Sequence, residues 1–171
     1  ARHADEFAIL KKKIITSGMD ETGLHGAKTA IIGGGAAGRT AAEEFAERGC
    51  EVFLLEKNRG RIKELIKHFS SNRSRFPKVT VMESSPRNLQ EAIRGALFLV
   101  SAVYVAGICP EKLVTKDLLL GMEPGGCVYP IDIDQGGAVE GVTETSILDP
   151  FDLPLFPGTA IHYFAPPNLP S

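Results

Sequence analysis

The sequence lacks the cysteine patterns of disulfide frameworks and metal sites. It contains three cysteines, Cys50, Cys109 and Cys127, which form no CxxC pair and have no histidine at metal-binding spacing. An odd, scattered set of thiols is typical of a reducing cytoplasm, where disulfides are rare. We therefore expect core or half-buried thiols, no metal site and a cytoplasmic protein.

Long hydrophobic runs and an excess of one charge are also missing. No apolar stretch approaches the roughly 20 residues that a bilayer-spanning helix needs, and no signal peptide is visible. The 19 basic and 21 acidic residues give a net charge of −2, and the three lysines at 11–13 form only a short basic patch. The sequence thus predicts neither a membrane span nor a nucleic-acid partner.

Apolar residues are present in the amount that one globular core needs. The 171 residues are 43% hydrophobic and 23% charged. Short apolar runs predict strands at 27–32, 51–56, 79–82, 97–103, 127–133 and 159–164. Helices are predicted at 1–17, 37–48, 59–69, 85–93 and after Thr115. This alternation with short loops predicts an α/β fold with a doubly wound parallel sheet, the Rossmann type.

Three of the predicted helices have recognisable end signals. Gly49 is a natural C-terminal stop for the helix at 37–48. Ser85 is the expected N-cap of the helix that begins with Pro86. Thr115 is the expected cap of the segment KDLLLGM.

A glycine-rich loop follows the first strand of the predicted sheet. Gly33, Gly35 and Gly38 satisfy the pattern G-x-G-x-x-G and open a predicted helix. In such loops the first glycine permits a tight turn, the second lets the backbone approach a pyrophosphate, and the third lets helix and strand pack closely. The helix N-terminus offers unpaired amides and a positive dipole end to the phosphates. The loop therefore predicts dinucleotide binding.

An acid at the end of the second predicted strand bears on which dinucleotide binds. Glu56 lies at the roughly 20-residue spacing expected for the acid that binds the adenosine ribose hydroxyls. A carboxylate there repels a 2′-phosphate, which favours NAD over NADP. Arg59 and Arg61 follow closely, and they leave an alternative open: either would receive a 2′-phosphate if Glu56 turned away.

Taken together, these segments resemble the NAD-binding domain shared by alanine dehydrogenases and the alpha subunit of proton-translocating nicotinamide nucleotide transhydrogenases. The resemblance covers about residues 27–170. It rests on AIIGGGAAGRTAAEEF, VFLLEKNRGRIKEL, SSPRNLQEAI, CPEKLVTKDLLLGMEPGGCVYPIDIDQGG and IHYFAPPNLPS. The combination of KLVT with the later IDQGG is more similar to alanine dehydrogenase than to a generic dinucleotide-binding domain.

The resemblance implies a role for each matching residue. The residues implied to bind the cofactor are Gly33, Gly35, Ala36, Ala37, Gly38, Glu56, Arg61, Ser84, Val103, Tyr104, Leu113, Ile133, Asp134, Asn168 and Leu169. The loop would line the pyrophosphate, Glu56 would hold the adenosine ribose, and Arg61 and Ser84 would lie at the adenine end. The residues implied to border the cleft or the nicotinamide are Val103, Tyr104, Leu113, Ile133, Asp134, Asn168 and Leu169. In the family the aspartate that corresponds to Asp134 takes part in catalysis.

The chain departs from the family pattern just before that aspartate. The family commonly has Val-Asp-x-Ala where this chain has Tyr129-Pro130-Ile131-Asp132. Asp132 is thereby predicted to share one face of the strand with Asp134. Pro130 lacks an amide donor, which predicts an edge strand or a local distortion there.

The resemblance also implies the function and the domain plan. The chain would be the NAD(H)-binding domain of an alanine dehydrogenase-like enzyme, in which a hydride passes from the amino acid to NAD during reversible oxidative deamination. We expect 1–26 to be a helix and linker leading in from a missing domain, 27–165 the NAD-binding domain and 166–171 an exit segment. The missing domain would bind the amino or keto acid, so the chain alone would be inactive, and the full-length protein would be a homo-oligomer.

Two other functions remain compatible with these residues. One is a transhydrogenase-type or saccharopine-pathway reductase domain on the same scaffold, acting with another substrate. The other is a non-catalytic NAD(H)-sensing module that regulates a partner.

Overall fold

Over the residues that the structure describes, the sheet contains six parallel strands and follows the doubly wound order. The computed structural model describes residues 24–103, 111–143, 161–163 and 165. The strands are β1 (Lys28–Ile32), β2 (Glu51–Glu56), β3 (Val79–Glu83), β4 (Phe98–Ser101), β5 (Cys127–Pro130) and β6 (His162–Tyr163). Their order across the sheet is β3-β2-β1-β4-β5-β6, and every neighbouring pair is parallel. This order confirms the predicted fold class and places a topological switch point between β1 and β4.

Helices cover both faces of the sheet. They are α1 (Ala36–Glu47), α2 (Arg59–Ser71), α3 (Pro86–Ile93) and α4 (Lys116–Leu119). Phe45 of α1 and Leu65 of α2 pack in one core with Ile31. Leu89 of α3 packs in the other core with Ile32. Because both faces are buried, the strands are almost continuously apolar, as a parallel sheet requires.

The end signals of two helices are confirmed, and Thr115 is the N-cap residue of α4 as predicted but does not cap it with its side chain. The helix α1 ends just before Gly49, and the Ser85 hydroxyl accepts a 3.2 Å hydrogen bond from the amide of Asn88. The side chain of Thr115 makes no capping bond. Instead, the amide of Lys116 donates to the carboxylate of Glu140 at 2.8 Å. A distant carboxylate thus takes the place of the expected local cap.

The predicted strand at 127–133 is too long. β5 is an inner strand that ends at Pro130, and a 3-10 turn, Ile133–Gln135, follows it. The carbonyl of Asp132 accepts from the amides of Gln135 and Gly137, which bends the chain out of the sheet. Asp132 and Asp134 therefore do not share a strand face, contrary to the prediction, and Asp132 is buried whereas Asp134 is exposed.

The remaining predicted elements agree with the structure where it describes them. β4 is shorter than the predicted 97–103. Of the predicted strand at 159–164 the structure describes 161–163, and β6 comprises the last two of these residues. The predicted helix at 1–17 and the proposed exit segment lie outside the described residues. Among the helices that the structure describes, none is both long and apolar enough to cross a membrane.

Candidate dinucleotide site

Two of the loop glycines are required by packing between β1 and α1. Gly33 has a φ of +97°, a conformation that favours glycine, and a Cβ there would overlap the carbonyl oxygen of Ala102. A Cβ on Gly38 would overlap the carbonyl oxygen of Gly33. The loop therefore lies wedged between the exit of β4 and the first turn of α1.

The middle glycine faces open space. Gly35 has a φ of −66°, and a Cβ there would meet no atom of the described residues within 4 Å. Gly35 is the N-cap of α1, no side chain caps that end, and the first turn carries no acid. The amides and positive dipole end of α1 therefore face open space, which is the environment that anion binding at a helix N-terminus requires.

The carboxylate of Glu56 is held beside this loop by backbone amides. Glu56 is 7% exposed. Its Oε2 accepts from the amide of Gly34 at 2.9 Å, and its Oε1 accepts from the amides of Lys57 and Asn58 at 2.8 Å each. The Arg61 guanidinium is 3.6 Å from Oε2. A negative charge is thus fixed at the carboxyl end of β2, where a ribose is expected.

A cavity of about 240 Å³ opens between the glycine loop and the helices α1 and α2. Its ionisable lining residues are Arg39, Arg61, Glu64 and His68. Among the residues that the structure describes, none from β4 or β5 or from the segments that follow them lines this cavity. The cavity therefore belongs to the adenosine side of the switch point.

The exits of β4 and β5 meet on the other side of the switch point. Asp132 is 7% exposed, and its Oδ2 accepts from the hydroxyl of Ser101 at 2.6 Å. The same oxygen accepts from the amides of Val103 at 3.1 Å and Ala138 at 3.3 Å. From outside, the ammonium of Lys112 donates to the carbonyls of Gly136 and Gly137. The turn that carries Asp134 is thus tied to β4 and to the segment before α4.

The structure divides the predicted site residues into two groups. The residues at the glycine loop, at the end of β2 and just beyond β3 lie on the adenosine side: Gly33, Gly35, Ala36, Ala37, Gly38, Glu56, Arg61 and Ser84. The amide of Ser84 donates to the carbonyl of Glu56 at 2.9 Å, which joins the ends of β2 and β3. The residues that belong to the segments after β4 and β5 are Val103, Leu113, Ile133 and Asp134. Tyr104, Asn168 and Leu169 lie outside the described residues.

Within the second group the side chains differ in exposure. Ile133 is 7% exposed and packs in the core on the α3 side of the sheet, against which Val103 and Leu113 also pack. Asp134 is exposed. Only Asp134 of these four therefore presents a charged group at the surface of the turn.

Sequence reasoning missed the residues that hold this side together. Ser101 reads as an ordinary strand residue and Lys112 as a surface lysine, and neither has a motif of its own. Asp132 had a signal, an acid where the family has a small residue, but its buried contacts with Ser101 and Val103 were not predicted. Among the described residues there is no group of three side chains that would hold a metal ion.

Residues 7–171 match the family described as Alanine dehydrogenase/PNT, C-terminal domain. The chain belongs to this family. Alanine dehydrogenase 1 of Staphylococcus aureus (strain NCTC 8325 / PS 47) is 31% identical over 157 residues, which cover 92% of this chain and 40% of that protein. The chain thus spans about 40% of the length of the curated relatives that it matches.

Solved structures agree with this assignment. An L-alanine dehydrogenase superposes with a TM-score of 0.73 at 28% identity, over 84% of this chain and 37% of that chain. A transhydrogenase from Sinorhizobium meliloti superposes with a TM-score of 0.66 over 83% and 38%, and its 18% identity shows the fold alone. The predicted family is confirmed, and the chain is a homologue of the dinucleotide-binding, C-terminal domain of alanine dehydrogenases.

Proposed function

We propose that this chain is the NAD(H)-binding domain of an alanine dehydrogenase-like oxidoreductase that catalyses reversible oxidative deamination. The observation that carries the proposal is the buried carboxylate of Glu56, fixed beside a glycine loop whose middle glycine faces open space. The open space at Gly35 accommodates a pyrophosphate, and Glu56 accepts hydroxyl donors from the adenosine ribose.

The fixed charge of Glu56 supports NAD rather than NADP. Three backbone amides donate to this carboxylate, so turning it away from the cleft would break all three hydrogen bonds. The alternative in which Arg61 receives a 2′-phosphate requires that movement. A 2′-phosphate on the ribose would therefore meet a negative charge at short range.

Asp134 is the proposed catalytic residue. NAD, when bound, supplies the hydride acceptor. The exposed carboxylate of Asp134 follows β5, at the carboxyl ends of the strands, where such folds bind ligands. There it would orient water or ammonia, or stabilise the positive charge of the iminium ion. The proposed substrate, an amino or keto acid, would be held by the part of the enzyme that lies outside this chain.

Two broader features of the enzyme are part of the proposal. Cys50 is a buried free thiol, which supports a reducing, cytoplasmic location. The resemblance to alanine dehydrogenases supports a homo-oligomer for the full-length protein.

A fluorescence titration of the chain with NADH and NADPH tests the cofactor assignment. We expect NADH to bind at least about tenfold more tightly than NADPH. A tenfold difference requires only about 1.4 kcal/mol of repulsion between Glu56 and the 2′-phosphate. Glu56→Gln should reduce this preference. Glu83→Gln is a matched control, because Glu83 is the register partner of Glu56 on β3, yet its side chain is half exposed.

Three results would count against the proposal. Equal affinity for NADH and NADPH would remove the role given to Glu56. An equal loss of preference in both variants would show that the effect is not specific to Glu56. Failure to bind either cofactor would overturn the proposed function.

A further inference from the structure

Asp132 is the most buried charged group on the β4 and β5 side of the site. It is 7% exposed, and its described side-chain contacts are with the protein itself. Its Oδ2 collects three donors: the Ser101 hydroxyl and the amides of Val103 and Ala138. The residues Val103 and Ala138 belong to two different segments, so a single oxygen joins the exit of β4 to the end of the turn after β5.

The main chain of Asp132 contributes to the same junction. Its carbonyl accepts from the amide of Gln135 at 3.1 Å and from the amide of Gly137 at 3.0 Å. Asp134 lies between Asp132 and these donors along the chain. The position of the Asp134 backbone relative to Val103 is therefore set by Asp132, through its side chain on one side and its carbonyl on the other.

The adenosine side of the site is held by a separate set of bonds. The amide of Gly33 donates to the carbonyl of Leu55 at 2.8 Å, and the amide of Gly34 donates to Glu56 at 2.9 Å. The amide of Ala102 donates to the carbonyl of Ile32 at 2.8 Å, so the residue against Gly33 is also anchored to β1. Asp132 takes part in none of these bonds.

One oxygen of the Asp132 carboxylate is unfavourable for stability. Oδ1 is buried and accepts no hydrogen bond from the described residues. Burying an unsatisfied acceptor is unfavourable, and a small apolar residue would avoid it. The other oxygen of the same carboxylate, Oδ2, joins two strand exits, so Asp132 contributes this geometry at some cost in stability.

We propose that Asp132 is a positioning residue for the nicotinamide half of the cleft, which holds Val103 and the turn that carries Asp134 at a fixed separation. The two halves of a doubly wound sheet each bind one mononucleotide, and the β4 to β6 half is the one that Asp132 organises. This inference rests on the proposed NAD(H)-binding function. It assigns Asp132 no contact with the cofactor and no chemical step.

The test compares two ligands, NADH and ADP-ribose, on the 171-residue chain and its variants. ADP-ribose contains the adenosine and pyrophosphate groups but no nicotinamide. Asp132→Ala removes the shared acceptor, and we expect it to weaken NADH binding about tenfold or more while ADP-ribose affinity changes by less than about twofold. Asp132→Asn retains an oxygen that accepts all three donors, and we expect it to restore most of the NADH affinity.

Each outcome of this experiment decides the inference. Loss of unfolding stability alone would lower the apparent affinity for both ligands by the same factor, so an equal loss, or no loss, overturns the positioning role. If Asp132→Ala does not fold, Ser101→Ala replaces it, because this variant removes only the 2.6 Å bond. A loss of affinity confined to NADH supports the positioning role, and a loss shared by both ligands overturns it. If the unsubstituted chain binds neither ligand, the proposed function fails and the inference fails with it. ADP-ribose binding without any effect of Asp132→Ala on NADH overturns the inference alone.

Discussion

The amide of Gly34 and the carboxylate of Glu56 are joined by a 2.9 Å hydrogen bond, although 22 residues separate them in the chain. This bond connects the loop after β1 to the end of β2. It makes Glu56 a structural residue of the glycine loop as well as the proposed partner of the ribose. The first prediction follows from this double role.

Removal of the Glu56 side chain should destabilise the fold. Glu56→Ala leaves three backbone amides without their carboxylate acceptor, and we expect the free energy of unfolding to fall by about 2–4 kcal/mol. Glu83→Ala, at the neighbouring half-exposed position, should change it by less than about 0.5 kcal/mol. Urea unfolding followed by circular dichroism measures both. Similar values for the two variants would show that the buried bonds of Glu56 contribute little.

Two glycines of the loop should respond differently to the same substitution. Gly38→Ala forces a Cβ against the carbonyl of Gly33, so we expect it to lower the unfolding free energy by about 1–3 kcal/mol or more. Gly35→Ala meets no protein atom and has an ordinary φ, so its stability should stay within about 0.5 kcal/mol. NADH binding should nevertheless fall in Gly35→Ala, because the added methyl enters the space proposed for the pyrophosphate.

This glycine pair is a test of where the cofactor lies. Thermal unfolding and NADH fluorescence are to be measured on the same samples of both variants. If Gly35→Ala binds NADH as well as the unsubstituted chain does, the pyrophosphate does not lie against this loop.

The reactivity of the two described thiols should follow their burial. Cys50 is fully buried and its thiol donates to the carbonyl of Leu24, and burial raises the pKa of this thiol. Cys127 is partly exposed. Because the thiolate is the nucleophile, we expect iodoacetamide to modify Cys127 well before Cys50 in the folded chain. Peptide mapping by mass spectrometry gives both rates, and equal rates would contradict the buried position of Cys50.

The raised pKa of Cys50 also predicts a loss of stability in alkaline solution. Above the usual pKa of the thiol, the unfolded chain releases the proton that the folded chain keeps, so the unfolding free energy falls as pH rises. Burial lowers the pKa of Lys28, which acts in the opposite direction near the usual lysine pKa. Cys50→Ser keeps a donor for Leu24 and removes the titration. The unfolding free energy of Cys50→Ser should therefore fall less than that of the unsubstituted chain between about pH 8 and pH 10. An identical fall in both proteins would show that titration of Cys50 is not the cause.

The chain alone should bind NADH without oxidising alanine. It spans about 40% of the length of the alanine dehydrogenases that it matches, and the proposed substrate contacts lie in the remainder. Absorbance of NADH in the presence of alanine and NAD measures turnover. A robust alanine-dependent signal from the 171-residue chain would show that the substrate site lies within it.

The parts of the site that could be predicted are those written in local sequence. The glycine loop and Glu56 follow from spacing within one β-α-β unit. Ser85 caps the helix that follows it by accepting from an amide only three residues away. The side-chain cap of α4 could not be predicted. The amide of Lys116 donates to Glu140, which lies 24 residues further along the chain. Contacts across such distances depend on the folded arrangement of whole elements.

The end of β5 shows a different limit. Residues 131–134 alternate apolar and acidic side chains, which is the pattern of a half-buried strand. In the structure the chain turns there instead, since the carbonyl of Asp132 accepts from two later amides and the glycines at 136 and 137 have positive φ. The same acid was expected on a strand face beside Asp134, whereas its partner Ser101 lies 31 residues away.

The three glycines of the G-x-G-x-x-G pattern are under different constraints, and this decides which of them could change during evolution. Gly33 and Gly38 are constrained by neighbouring backbone, whatever the protein binds. Gly35 is constrained only by what occupies the space in front of it. In a descendant that no longer binds a nucleotide, substitutions at Gly35 would be tolerated, whereas Gly33 and Gly38 would remain glycine. The outer glycines thus report the architecture of a relative, and the middle one reports whether its ligand is still in use.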